Sequence, residues 1–132
     1  MKRSSALLLV LGVSMAAFAF EQVTIPEILK DPSKFDGKDV SVTGVVEGYQ
    51  ERTSKGGNKY TSFRVKADSK TLSVWMKDHP TADKSLKNGY TVLVTGIFAK
   101  EKKVGDVIFK NEIDVSPKSG KNYGWSILAK GE

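Results

Sequence analysis

From Lys38 onward, apolar and polar residues alternate with a period of two, the spacing that turns one side of a strand to a core and the other to water. Val40, Val42 and Val46 mark the first such run. Gly44 interrupts it, which predicts a long strand with a bulge or a sharp bend at the glycine. Tyr60 to Ala67 alternates again, with Thr61, Phe63 and Val65 on one side and Tyr60, Ser62, Arg64 and Lys66 on the other. After a tight connection at Asp68-Ser69-Lys70, the next run sends Leu72, Val74 and Met76 inward and Ser73, Trp75 and Lys77 outward. These two runs are expected to form a hairpin. Asn88-Gly89 opens a fourth strand, Tyr90 to Phe98, and a fifth runs from Val107 to Val115 before Pro117 ends it.

The connections read differently. Ile25, Ile28 and Leu29 share a helical face, with Thr24 as an N-cap and Pro26 and Glu27 in the first turn. One or two helical turns should therefore close at Asp31-Pro32, followed by a turn at Asp36-Gly37. Glu51 to Lys59 is polar and flexible, and Lys100 to Asp106 reads as a charged loop. Asp78 to Asn88 is the longest polar connection and offers at most a short helix around Ala82 to Leu86. Ser116 to Lys121 looks like a linker, and the tail Tyr123 to Leu128 either covers part of the sheet or stays mobile. Five strands with a glycine-bent first strand, and the long link between the third and fourth, predict an all-β closed Greek-key barrel after a short N-terminal helical segment. An open sandwich is the alternative architecture.

The N-terminal segment changes the expected address. Lys2 and Arg3 precede an apolar stretch, Ala6 to Val13, and the small residues of Ala17-Phe18-Ala19 follow at signal-peptidase spacing. The expected division is a cleaved signal over 1–19, a barrel domain over 20–116 and a C-terminal tail over 117–132. The apolar run falls short of the roughly 20 residues that span a bilayer, so cleavage is favoured over anchoring. A periplasmic or secreted protein follows, with no membrane span in the mature chain. The chain has no Cys, so stability must come from apolar burial and not from disulfides. Its formal charge is +6, of which Lys2 and Arg3 carry two, leaving a modest excess made almost wholly of lysine. Such an excess suits weak attraction to phosphates or acidic polymers, and equally suits solubility.

Several segments together carry a family resemblance. Phe35-Asp36-Gly37-Lys38, Val40-Ser41-Val42-Thr43-Gly44-Val45-Val46, Gly57-Asn58-Lys59-Tyr60, Phe63-Arg64-Val65, Gly89 to Phe98 and Asn111-Glu112-Ile113 resemble oligonucleotide/oligosaccharide-binding (OB) domains. The likeness is nearest to the anticodon-binding-like group and to small exported bacterial OB proteins, and it covers roughly Val23 to Val115. It implies nucleic acid as the default ligand class, while the export signal argues against a tRNA or replication role. OB barrels host unrelated ligands, so the resemblance is specific for fold and weak for function. The exported haem chaperones of cytochrome c maturation share the fold but use a histidine beyond the barrel. The single histidine here, His79, lies between the third and fourth strands, so that reading fails and no cofactor is expected.

In OB barrels, ligands cross the second and third strands and are gripped by the first–second and fourth–fifth loops. That surface would hold Tyr60, Arg64 and Lys66 from the second strand with Trp75 and Lys77 from the third. Arg52, Lys55 and Lys59 would sit in one gripping loop, and Lys100, Lys102 and Lys103 in the other. Aromatic platforms between cations are what single-strand binding requires. Ordinary solvated residues would show the same types, and Trp75 could equally pack beneath the tail. Glu51 and Glu101 dilute the loops' charge. The same aromatics could anchor an envelope protein partner, or a glycan beside Ser62 and Ser73. Enzymatic chemistry has little support: there is no Cys nucleophile, no partner for His79 and no His/Cys metal spacing. Asp106, Glu112 and Asp114 are carboxylates without a binding motif, and Asn111-Glu112-Ile113 reads as a structural marker of the final strand. The expected function is a non-catalytic binding module for single-stranded nucleic acid or another acidic polymer.

Overall fold

The computed structural model describes residues 21–131, so the expected signal segment and its cut after Ala19 lie outside the described residues. The elements are β1 (Glu21–Gln22), α1 (Ile25–Lys30), α2 (Pro32–Phe35), β2 (Asp39–Thr53), β3 (Lys59–Ala67), β4 (Lys70–Lys77), β5 (Thr91–Val104), β6 (Val107–Asp114) and β7 (Gly124–Ala129), with a single 3-10 turn at Ala82–Lys84. Strands β2, β3, β4, β6 and β5 join in that order, and β2 also pairs with β5, closing a five-stranded barrel. The β4–β6 pairing is parallel and the other pairings within the ring are antiparallel. This is the OB barrel. Two short strands extend it: β1 lies parallel to β2, and β7 lies antiparallel to β5.

Closure depends on two long strands that each serve two neighbours. β2 pairs with β5 over Asp39 to Val45 and with β3 from Val45 to Thr53. β5 pairs with β2 up to Ile97 and with β6 from there on. A glycine sits at each handover. A Cβ on Gly44 would stand 3.0 Å from the Lys66 carbonyl oxygen, and one on Gly96 would stand 2.3 Å from the Asp114 carbonyl oxygen. The barrel corners thus need backbone without a side chain. The irregularity expected at Gly44 falls four residues further along β2: the β2–β3 register shifts between Glu47 and Gln50, where Gly48 has a φ of 63°.

The alternating residues fill the interior. Val40, Val42, Val46, Val65, Val92, Val94, Phe98 and Ile113 are all buried. Helix α1 seals one end with Ile25 and Ile28. Its start is a capping box in which the Glu27 amide donates to Thr24 Oγ1 and the Thr24 amide donates to Glu27 Oε1. The amide hydrogen bond to Thr24 is the first cause holding the Glu27 carboxyl below its usual range. The hairpin between β3 and β4 turns on Asp68 and Ser69, both at positive φ, as a two-residue connection of this twist requires.

Two stretches expected as loops are strands. Glu51 to Thr53 continue β2, and Lys100 to Val104 continue β5, paired with β6 through Val104↔Val107. Each forms a two-stranded arm beyond the barrel. The tail joins the sheet as β7, and Trp125 is buried edge-on against Phe63 at 5.2 Å with its Nε1–H donated to the Lys84 carbonyl. Its approach is fixed at Asp39, whose carboxylate accepts from Lys121 Nζ at 2.7 Å and from the Tyr123 hydroxyl. Burial would raise the Asp39 carboxyl, but these donors outweigh it and hold the group below its usual range. Burial and the bond to Asp39 push the Tyr123 phenol up to about 12.

The long connection between β4 and β5 is also anchored. Glu51 Oε2 accepts from the Tyr49 hydroxyl at 2.7 Å and from Ser85 Oγ at 3.0 Å, and Leu86 is buried. Burial, then the bond to Glu51, push the Tyr49 phenol up to about 12. His79 Nε2 lies 2.9 Å from the Arg52 carbonyl oxygen, which occupies the chain's single histidine in holding this connection against β2.

Candidate functional site

The outer face of β2, β3 and β4 is a lattice of opposed residues. Arg52, Tyr60 and Lys77 stand opposite one another across the three strands. The next row is Gln50, Ser62 and Trp75, with Asp114 of β6 beside Trp75. Below it come Glu47, Arg64 and Ser73, with Glu112 beside Ser73. Alternation fixes this face: Thr61, Phe63, Val74 and Met76 point into the barrel, so their neighbours point out.

Tyr60 and Trp75 are half-buried and stacked, with centroids 6.4 Å apart and planes at 21°. They form the floor of a groove of about 910 Å³. One wall is the β2–β3 turn, through Ser54, Gly57 and Asn58, and the other is the β5–β6 arm, through Lys102, Val104 and Phe109. Lys59 and Lys77 stand at its edge, and Asp78 and Glu112 also line it. The groove therefore lies between the two arms, on the second and third barrel strands.

The cations divide. Lys59, Lys77 and Lys102 line the groove with Tyr60 and Trp75. Lys102 is not a free charge: its Nζ sits 4.8 Å over the Trp75 ring and 3.6 and 3.8 Å from the carboxylates of Glu112 and Asp114. Lys55 is exposed at the β2–β3 turn and Arg52 stands opposite Tyr60 on β2, both outside the groove lining. Arg64 folds back over the β2 bulge, where a Cβ on Gly48 would meet its Nη1 at 2.8 Å. Lys66 pairs with Glu47 at 3.7 Å. Lys100 reaches α2, donating to Ser33 Oγ at 3.0 Å, and Lys103 is exposed on β5 opposite Ile108. The expectation that Arg64, Lys66, Lys100 and Lys103 share one site with the aromatics is thus corrected. Local partners hold Arg64, Lys66 and Lys100 away from the aromatics, and alternation along β5 turns Lys103 to the opposite side from Lys102.

Glu112 was read as structural, and it lines the groove. It is 6% exposed, and burial pushes its carboxyl above the usual range, opposed by the Lys102 ammonium and reinforced by Asp114. Asn111, the first residue of this triplet, has a φ of 53°, a left-handed conformation that asparagine tolerates. Asp106 is at the far tip of the arm, so the three carboxylates considered together do not converge. Among the described residues no group of three or more His, Cys, Asp or Glu side chains is placed to hold a metal ion, and no helix is long and apolar enough to cross a membrane.

A further feature was absent from the sequence reading. The arm carries Val104, Val107, Ile108 and Phe109, each more than 40% exposed. Cross-strand pairing of Val104 with Val107 and of Lys102 with Phe109 puts Val107 on the groove-facing side as well. The groove wall therefore sets apolar side chains beside Lys102, where a basic loop was expected.

No family model matches the chain, and no curated protein matches it by sequence. Among solved structures it is similar to yeast Stn1 and Ten1, at 14% identity and a TM-score of 0.57, over 85% of this chain and 64% of that one. The chain thus spans less than two thirds of that relative's length. It is also similar to the OB domain of Ta0387 from Thermoplasma acidophilum, at 15% identity and a TM-score of 0.47, over 82% and 87% of the two chains. A third likeness is to Rim1 of S. cerevisiae, described as a mitochondrial single-stranded DNA binding protein. It has 18% identity and a TM-score of 0.49, over 74% and 99%. At such identities the likeness speaks to fold alone, and the Stn1 and Ten1 comparison supports the OB barrel.

Proposed function

We propose that this chain is a non-catalytic binding module of the periplasm or the extracellular space, related to the exported anticodon-binding-like OB proteins, and that its groove takes single-stranded nucleic acid. The observation that carries this reading is the Tyr60–Trp75 stack, set between two arms on an outer barrel face with Lys59 and Lys77 at its edge. Every base has a π face, so such a floor accepts bases with little regard to sequence, at about 1–3 kcal/mol per stacked base. The lysines supply phosphate attraction without the bidentate geometry of arginine.

The charge inventory sets the expected strength. Each phosphate neutralised on a single strand contributes a slope of about 0.7 in log affinity against log salt. Lys59 and Lys77 alone then give a slope of about 1.5, and Lys55 with Arg52 raise it to about 3. Binding should accordingly be weak, in the micromolar range at low salt. A labelled thymidine oligonucleotide titrated at two salt concentrations, with wild type beside Trp75→Ala, tests this. Micromolar binding that weakens with salt within that slope, and by about tenfold on substitution, is expected. Absence of binding at low salt would contradict it.

The exposed Val104, Val107 and Phe109 favour a second reading, in which the same groove receives an extended segment of an envelope protein. Binding of that kind would be nearly insensitive to salt and would be lost on Phe109→Ala.

A further inference from the structure

Glu112 is the groove residue whose bonding is incomplete. Its side chain is 8% exposed, and its one cationic neighbour, Lys102, stands 3.6 Å away, beyond good hydrogen-bond distance. The Lys102 ammonium is its one charged partner among the described residues, although an ionised carboxylate can accept several hydrogen bonds. That ammonium is divided between Glu112 and Asp114, which leaves acceptor capacity on the Glu112 carboxylate. The carboxylate lies in the lining that holds Trp75, Tyr60 and Lys102. A ligand group stacked on the aromatic floor would therefore have its edge beside an acceptor pair.

The surroundings select the donor. A second cation here would meet the Lys102 ammonium, already shared between Glu112 and Asp114. A neutral N–H donor meets no such repulsion. Nucleobase edges are neutral donors carried on a planar, stackable ring. Guanine alone presents two adjacent donors, N1–H and N2–H, that match both oxygens of one carboxylate. Adenine and cytosine offer a single amino group, and thymine an N3–H flanked by two carbonyl oxygens that a carboxylate repels. Guanine O6 would in turn accept from a cation such as Lys102.

Resting on the nucleic-acid reading above, we propose that the groove prefers guanine, with Glu112 accepting from N1–H and N2–H of a base stacked on the Tyr60–Trp75 floor. Lys102 is its positioning residue: the incoming base displaces its ammonium from over the Trp75 ring, where it stands 4.8 Å from the centroid, and the ammonium then donates to O6.

The test uses labelled thymidine decamers carrying one central guanine, inosine, cytosine or no replacement, titrated into the protein by fluorescence anisotropy. The guanine strand is expected to bind about tenfold more tightly than thymidine alone, a bidentate base contact being of that order. Inosine, which lacks the N2 amino group, should lose most of the gain. Glu112→Gln should abolish the preference, read as the ratio of guanine-strand to thymidine-strand affinity within the variant. Inosine needs no protein variant, so the proposal stays testable if Glu112→Gln fails to fold. Equal binding of all strands, or a guanine preference that survives Glu112→Gln, would overturn this inference and leave the nucleic-acid reading standing. Failure of every strand to bind at low salt would overturn that reading itself. Capture of a lysine- or arginine-rich peptide that depends on Glu112 would overturn the choice of a neutral donor.

Discussion

The chain's two tryptophans mark regions built on opposite terms. Around Trp125 the polar groups have close partners. Its Nε1–H reaches Lys84, and the nearby Asp39 receives donors from Lys121 and Tyr123 that hold its carboxyl down. Around Trp75 the contacts stop short. The ring is half-buried, Lys102 hovers at 4.8 Å, and the neighbouring Glu112 is pushed up by burial that the Lys102 ammonium only partly offsets. The seal satisfies its polar groups and stabilises the fold. The groove pairs its buried carboxylate with one shared ammonium and leaves its aromatic floor half-open, which suits the ligand proposed above.

Substitution should separate the two regions most sharply at the aromatics. Trp125→Ala removes a ring packed on Phe63 and an indole bond, and should cost about 3–5 kcal/mol in urea unfolding. Trp75→Ala should cost no more than about 1–1.5 kcal/mol, the scale of one aromatic stack and one cation–π contact. Similar losses at both positions would erase the distinction.

A smaller effect distinguishes the two acids by sign. Asp39 has a lowered carboxyl, so its stabilisation is present above the unfolded value and is lost as pH falls through the lowered folded one. Relative to wild type, Asp39→Asn should therefore lose about 1 kcal/mol at neutral pH and nothing in strong acid. Glu112 has a raised carboxyl, so its contribution is most favourable below the unfolded value and declines as pH rises through the folded one. Glu112→Gln should thus match or exceed wild-type stability at neutral pH, and the gap should close in acid. Thermal melts from acid to neutral pH read both trends, and parallel trends would contradict the assignment.

How far the sequence anticipated this arrangement follows from which residues have a buried side. The ring strands each bury one face, so Val40, Phe63, Val74 and Val94 announced the barrel by alternation. The arms bury neither face, and Lys100 to Val104 carried no such signal although they pair as regularly as the ring. The tail's role was open because β7 contributes mainly one buried side chain, Trp125, to a core already specified elsewhere. The aromatic floor was legible, since Tyr60 and Trp75 occupy outward positions of two adjacent strands. The partners of the cations were not. Lys100 meets Ser33 and Lys102 meets Glu112 only through folding of distant segments. Glu112 was hidden by its neighbours Asn111 and Ile113, which read as strand structure, and a lone Glu at a strand end has no periodic signature.

The most direct test of the groove as a nucleic-acid site uses the two indole N–H resonances as reporters, in a nitrogen–proton correlation spectrum of the labelled protein. Addition of a thymidine decamer at low salt should shift the Trp75 indole, identified by its absence in Trp75→Ala, and leave the Trp125 indole in place. A spectrum in which neither indole moves, or in which only Trp125 responds, would contradict the account.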